Sequence, residues 1–247
     1  MIFYKKKYLF IVFILFSISI HAQPFGFGCL GLSGFYAGYS QQYFATGGIN
    51  EFVAQRLSTT LPSADKIEFK KGTGYRIGAN FFRAKWDKFF LTAKGYYQFL
   101  KEEHQVSGPP QTGQITDKYQ LTMNHWGVGL DFGVPIFWVL DWKIFEANVT
   151  FFNTEFIEES LIDNVSQGQI KYTPDKNKLG YFLGSGLILH LVPDYVSIEG
   201  TAGYNFITIE AMNNDSGSTI PIQNSTKKAI EKGGLSVTIQ LNVGFPL

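Results

Sequence analysis

The side chains able to do chemistry are few and scattered: four histidines and one cysteine in 247 residues. Nucleophilic catalysis needs a hydroxyl or thiol beside a base, with a third group to orient that base. His104 and Ser107 stand three residues apart with Glu103 alongside, whereas His125 is followed by Trp126-Gly127 and His190 by Leu191-Val192. A histidine near a serine is common by chance, and no spacing meets the geometric demands on a nucleophile–base pair. The expectation is therefore a chain with no catalytic residues and no cofactor. Metal ligation is no better served, because Cys29 and the histidines lack a ligand spacing. A lone cysteine also excludes an internal disulfide framework.

A second set of chemical groups is more informative. Arg76, Lys94, Asp131, Glu146 and Glu199 each sit inside a run of alternating apolar and polar residues, on the polar parity. Strict period two marks β-strands with one apolar and one polar face. In the last run Leu235, Val237, Ile239, Leu241, Val243 and Phe245 alternate with Ser236, Thr238, Gln240, Asn242 and Gly244. Six further runs centre on residues 75–81, 91–99, 127–134, 145–151, 183–191 and 196–206, and a Gly-rich stretch at 27–42 makes an eighth strand. Polar-parity charges enclosed by such strands must pair, since removing an ion from water costs several kcal/mol. The five residues are expected to form a salt-bridged network, with His190 nearer one end.

The links between runs sort by length. Residues 84–88, 135–141 and 192–194 are short; 43–70, 103–116, 155–176 and 210–232 are long and polar. Short and long links alternate, as in a membrane barrel with one end facing the periplasm and the other the exterior. Trp86, Trp138 and Trp142 lie in or beside short links, where indoles would form an interfacial girdle on the periplasmic side. If Pro193-Asp194 is a two-residue turn, Val192 pairs with Tyr195 and His190 with Ser197, which share the inward face. At the start, Lys5, Lys6 and Lys7 precede the apolar run Tyr8 to Ile20 and the small residue Ala22. This reads as a cleaved signal peptide over 1–22, leaving 23–247 as one barrel domain. Without those three lysines, 18 basic residues face 20 acidic ones, which is no footprint for nucleic acid. Aromatics at 17% of the chain, with no long apolar helix, suit a membrane barrel.

These runs, links and the closing strand resemble the small eight-stranded outer-membrane β-barrels, such as the OmpA transmembrane domain, OmpX and OmpW. The resemblance implies an all-β, antiparallel up-and-down transmembrane barrel in a bacterial outer membrane, among lipids that include lipopolysaccharide. Such chains often end on an aromatic residue; here Phe245 is followed by Pro246-Leu247. Family members that deacylate lipid A carry a His-x-Ser arrangement, which this chain lacks, so a lipid A-modifying role is the least favoured. An eight-stranded lumen is just filled by side chains, which favours a structural or accessory subunit of a larger outer-membrane assembly. A narrow channel or binder for small hydrophobic compounds is the alternative, with Phe82, Phe90, Phe182 and Ile188 as inward candidates. In the first long link Asn50 is expected to cap a helix carrying Ile49, Phe52, Val53 and Leu57 on one stripe. That stripe packs as a lid over the barrel mouth or docks another outer-membrane protein. Lys227, Lys228 and Lys232 in the last long link offer charge to lipopolysaccharide phosphates.

Overall fold

The computed structural model describes residues 33–62, 65–108, 115–163, 165–193 and 195–244. The signal-peptide segment, Cys29, the turn residue Asp194 and Phe245 lie outside these.

The alternating runs form strands β1 (Gly34–Tyr43), β2 (Lys71–Lys85), β3 (Phe90–Ser107), β4 (Ile115–Phe137) and β5 (Leu140–Ile162). They continue as β6 (Val165–Tyr172), β7 (Lys178–Val192), β8 (Val196–Phe206), β9 (Met212–Asn213), β10 (Thr219–Ile220) and β11 (Leu235–Gly244). Helix α1 (Gly47–Thr60) lies between β1 and β2. β1 pairs with β2, β2 with β3, β3 with β4, β4 with β5, β5 with β7, β7 with β8, β8 with β11, and β11 with β1. Every pairing is antiparallel, and the eight strands return on themselves. The closure leaves no edge within the ring, which is the arrangement that satisfies every backbone group in a bilayer.

The amphipathic pattern is inside out. Phe35, Tyr75, Ile77, Trp126, Val128, Leu130, Leu183 and Ile239 are exposed on the outer wall, while Ser40, Gln98, Asn148, Thr201 and Gln240 are buried inside. An apolar surface of that extent is untenable in water and is what a hydrocarbon-facing wall requires. Outward of Phe99, Trp126 and Phe151 the outward-facing residues turn polar, as Lys101, Thr122 and Glu155. The outer ends of β3, β4 and β5 thus rise above the apolar band, and β6 extends them by pairing with β5 from Phe156 to Ile162.

This rise corrects two of the long links. The described ends of 103–116, at 103–107 and 115–116, and most of 155–176 are strand, because the inward parity stays apolar through Tyr119, Leu121, Phe152 and Phe156 and gives the ladder a core to cover. At the other end His190 faces Ser197 as the register requires, but Val192 pairs with Val196 rather than Tyr195, because the ladder is bulged between His190 and Val192.

Candidate functional site

Above the short-turn end the inward side chains form three tiers. In the lowest of these, β2 contributes Arg76, β3 Lys94, β4 Asp131, β5 Lys143 and Glu146, and β8 Glu199, all buried. Lys94 Nζ lies 2.8 Å from Glu146 and 3.0 Å from Asp131, with Glu199 at 4.0 Å across the lumen. Arg76 reaches Glu146 at 3.7 Å. Lys143 donates to Glu146, Glu199 and Thr201, and stands 3.8 Å from Asp131. Further donors fix the carboxylates: Asn148 Nδ2 to Glu146 at 2.7 Å and Asn242 Nδ2 to Glu199 at 3.1 Å. Arg76 also lies over the Tyr96 ring, 4.1 Å from its centroid.

Three cations and three carboxylates make this plug neutral. Carboxylate oxygens of Asp131, Glu146 and Glu199 approach within 4.8 Å of one another, a spacing that would suit a metal ion. The lysine ammoniums already stand among them, so the group is balanced as it is. Such desolvated pairs hold only with good geometry and added hydrogen bonds; Glu146 and Glu199 have both, whereas Asp131 is held through its ion pairs with Lys94 and Lys143, its Oδ1 without a hydrogen-bond partner.

All five charges expected from sequence thus meet in one cluster; Lys143 was missed. Simple alternation from Glu146 and Phe145 puts Lys143 outward, toward lipid. Instead the ladder shifts between Lys143 and Glu146, and the bulge turns both side chains inward. A lysine on the lipid-facing parity would cost about 2–4 kcal/mol at the bilayer midplane, and that cost was the signal for a bulge.

A second bulge, between Asn80 and Phe82 on β2, corrects the placement of Phe82: it pairs with outward Ala93, and Arg83 pairs with inward Thr92. Arg83 then meets Asp141 at 3.4 Å, and Asp141 also takes His190 Nε2 at 2.8 Å. This second polar group closes the short-turn end. The remaining apolar candidates are packed: Phe90 against Gly133 and beneath Arg83, Phe182 against Gly184 and Gly203, and Ile188 buried as well.

The middle tier is uncharged. Gln42, Gln98, His125, Thr150, Asn205 and Ser236 are all fully buried and come from β1, β3, β4, β5, β8 and β11. Asn205 Nδ2 donates to Gln42 Oε1 at 2.9 Å, and Arg76 Nε donates to Gln98 Oε1 at 2.6 Å. Yet Gln42 Nε2, Gln98 Nε2, His125 Nε2, Thr150 Oγ1, Asn205 Oδ1 and Ser236 Oγ have no partner in the protein. Each buried polar atom left so costs about 1–3 kcal/mol.

The outer tier is apolar. Phe44, Leu100, Met123, Phe152 and Ile207 join Ile49, Val53, Phe69, Phe156, Ile209 and Ile230 in one buried cluster. Helix α1 seals it, with Phe52 edge-on to Phe156 and Tyr172. Phe52, Val53 and Leu57 are buried beneath the helix, so the stripe packs as a lid over the outer cluster. Asn50 is not the cap, because the helix begins three residues earlier, at Gly47. Its side chain instead clamps the chain at Phe69, accepting from Phe69 N at 2.7 Å and donating to Phe69 O at 3.0 Å. Above the apolar band, burial outweighs the nearby Arg56 and pushes the Glu158 carboxyl up, with Asp117 adding to the rise.

Trp86, Trp138 and Trp142 fall at the short-turn end. Trp138 is 84% exposed, Trp142 is exposed, and Trp86 stacks on Phe89 at 4.5 Å. His104 bonds Glu102 at 3.2 Å, and Ser107 bonds Thr116 at 2.9 Å, so those two do not form a pair.

No family model matches this chain, and no curated protein matches it either. Solved structures do. Ail, the attachment invasion locus protein of Yersinia pestis, is 10% identical over 90% of this chain and 100% of its own, with a TM-score of 0.43. Neisserial surface protein A is 11% identical over 87% and 99%, also at 0.43. The outer membrane protease OmpT of Escherichia coli is 10% identical over 87% and 94%, at 0.34. Because a protease stands among these similar structures, the expectation that the chain is not an enzyme is withdrawn. With its closed ring, lipid-facing wall and filled lumen, the chain is an eight-stranded β-barrel of the outer-membrane kind.

Proposed function

We propose that the chain is a structural or accessory subunit of a larger outer-membrane assembly in a Gram-negative cell. In this reading residues 1–22 are a cleaved signal peptide and residues 23–247 the barrel, with Trp86, Trp138 and Trp142 as its periplasmic girdle. The neutral plug carries the reading. Six charges that neutralise one another across the lumen close it to solutes, so the barrel acts through its surfaces. The surface most accessible from outside is the sheet made by the outer ends of β3, β4 and β5 with β6. Val165 and Ile170 on β6 are exposed beyond the apolar band. Exposed Lys227, Lys228 and Lys232 supply charge for lipopolysaccharide phosphates, a class of contact that ammonium groups make as point charges.

The test combines size and conductance. Extracted in mild detergent, the native protein is expected to migrate well above its monomer mass. Val165→Lys with Ile170→Lys should return it to the monomer, while the barrel still shows a heat-dependent gel shift. A native protein that is monomeric throughout, or that gives discrete conductance steps in planar bilayers, overturns the reading.

A further inference from the structure

The wall formed by β1 to β4 is not smooth. A groove of about 450 Å³ opens on its outer face, lined by Phe35, Ile77, Phe81, Tyr97 and Trp126 around the small residues Ala79 and Gly95. Its volume is in the range of ligand pockets, ~300–1,000 Å³. The register explains the hollow. Ala79 and Gly95 stand opposite each other, so this rung of the ladder carries little bulk toward the lipid. On the rung above, Ile77, Tyr97 and Trp126 lie in line, with the Tyr97 and Trp126 rings 4.6 Å apart. Phe35 flanks Ala79 from β1. Below, the bulge between Asn80 and Phe82 adds Phe81 to the strand, and a side chain on Gly95 would strike the Phe81 ring. Large side chains thus bound a gap that two small ones keep open.

The groove has a defined depth. On β3, Gly95 stands four residues below Phe99, the last apolar outward residue before Lys101. Four residues are about 14 Å of strand, or about 10 Å of depth at the usual tilt of ~35–45°. In a hydrocarbon core about 30 Å thick the groove therefore lies in the outer half. What fills space there is an acyl chain of the outer leaflet, and left empty the hollow would forfeit the contacts that its lining can make. Charge marks the same strands above the apolar band. Lys71 on β2, Lys101 on β3 and Lys118 on β4 share the outward parity there with one carboxylate, Glu103, which pairs with Lys101 and Lys118. Three cations against one anion leave a positive excess on these strands, which suits the phosphate of a lipid headgroup.

We propose that the groove holds one acyl chain of a phosphorylated glycolipid of the outer leaflet, the lipid A part of lipopolysaccharide, whose phosphates meet Lys71 and Lys101. The chain passes the Tyr97–Trp126 pair, packs on Ala79 and Gly95 and ends against Phe81. The wall thereby keeps one lipid in place instead of a changing boundary layer. This site rests on the outer-membrane placement of the barrel and is independent of assembly with a partner, which uses the sheet at the outer ends of β3 to β6.

The test uses the full-length mature barrel with Trp86, Trp138 and Trp142 changed to Phe, so that Trp126 reports from the groove. It is refolded into vesicles of phosphatidylcholine brominated on its acyl chains, which quench an indole on contact. Purified lipid A without bromine is then added in small mole fractions. The expected result is a saturable recovery of Trp126 fluorescence, complete long before dilution of the brominated lipid accounts for it. Ala79→Leu, which fills the groove, should abolish the recovery. Lys71→Gln with Lys101→Gln should raise the lipid A required tenfold or more, and the heat-dependent gel shift shows that each variant has folded. Recovery that only follows dilution overturns the proposal, because the groove then holds boundary lipid alone. So does equal recovery with phosphatidylglycerol, or recovery that survives both sets of substitutions. A Trp126 that is unquenched before any lipid A is added overturns the membrane placement itself, and this site with it.

Discussion

Lys143 and Glu146 lie three residues apart on one strand, yet both point into the lumen and bond each other. On a regular strand they would face opposite sides of the wall. The bulge between them completes the neutral plug, because Lys143 is the third cation and the one that donates a hydrogen bond to both Glu146 and Glu199.

Replacing Lys143 should therefore leave two buried carboxylates short of a partner. Lys143→Met is expected to lower unfolding stability in urea by about 3–5 kcal/mol, the usual cost of breaking a buried pair. Adding Glu199→Gln should recover part of that loss. Equal urea midpoints for wild type and Lys143→Met would remove the plug's structural role.

The lid predicts a local effect. Phe52→Ala opens a cavity among Phe156, Tyr172 and the rest of the outer cluster, at a cost of about 3–5 kcal/mol to the packing of α1. Trypsin cleavage at Arg56 should accelerate strongly while the barrel keeps its heat-dependent gel shift. Cleavage at the wild-type rate would mean that the helix is held by something other than its buried stripe.

Glu158 gives a pH dependence with a definite sign. Its carboxyl is raised in the folded protein by burial, so the folded state binds more protons than the unfolded state. Its contribution is full below the unfolded value of about 4.3 and is lost as pH rises through the folded value. Glu158→Gln lacks this dependence. Its stability relative to wild type should be greatest near pH 7 and should fall as pH is lowered toward 4. A difference between the two proteins that is constant over that range, by thermal melts in matched buffers, would contradict the assignment.

The tryptophans give a depth test. With Trp86, Trp126 and Trp142 changed to Phe, the fluorescence of Trp138 should be quenched most by a lipid label at headgroup level, where indoles reside. Maximal quenching by a label at mid-chain depth would displace the girdle.

Much of this was legible from alternation alone. Arg76, Lys94, Asp131, Glu146 and Glu199 share the polar parity of their own strands, and closure of the ring brings them together. Gln98 and Asn205 followed the same parity, but nothing in the chain marks them as neighbours at one level. That depends on strand tilt and on the pairing register. Phe82 was misplaced and Lys143 missed because a bulge separates each from the residues that set the parity of its strand, and one extra residue reverses every face beyond it. The outer strand extensions were taken for loops because polar residues on their exposed face hid the apolar inner parity of Tyr119, Leu121 and Phe156.

The pairing of β1 with β11 bears on how the molecule forms. Gly34 lies opposite Gly244, so the contact that completes the ring joins nearly the two ends of the described chain. Loop-closure entropy of that size comes before any reward from the contact, and folds dominated by such distant pairings form slowly. Until β11 arrives, β1 presents an open edge, and the apolar wall has neither lipid nor a finished cylinder to rest on. Closure of the ring is thus the contact with the largest loop to close, and until it forms the β1 edge stays open to pairing with other chains.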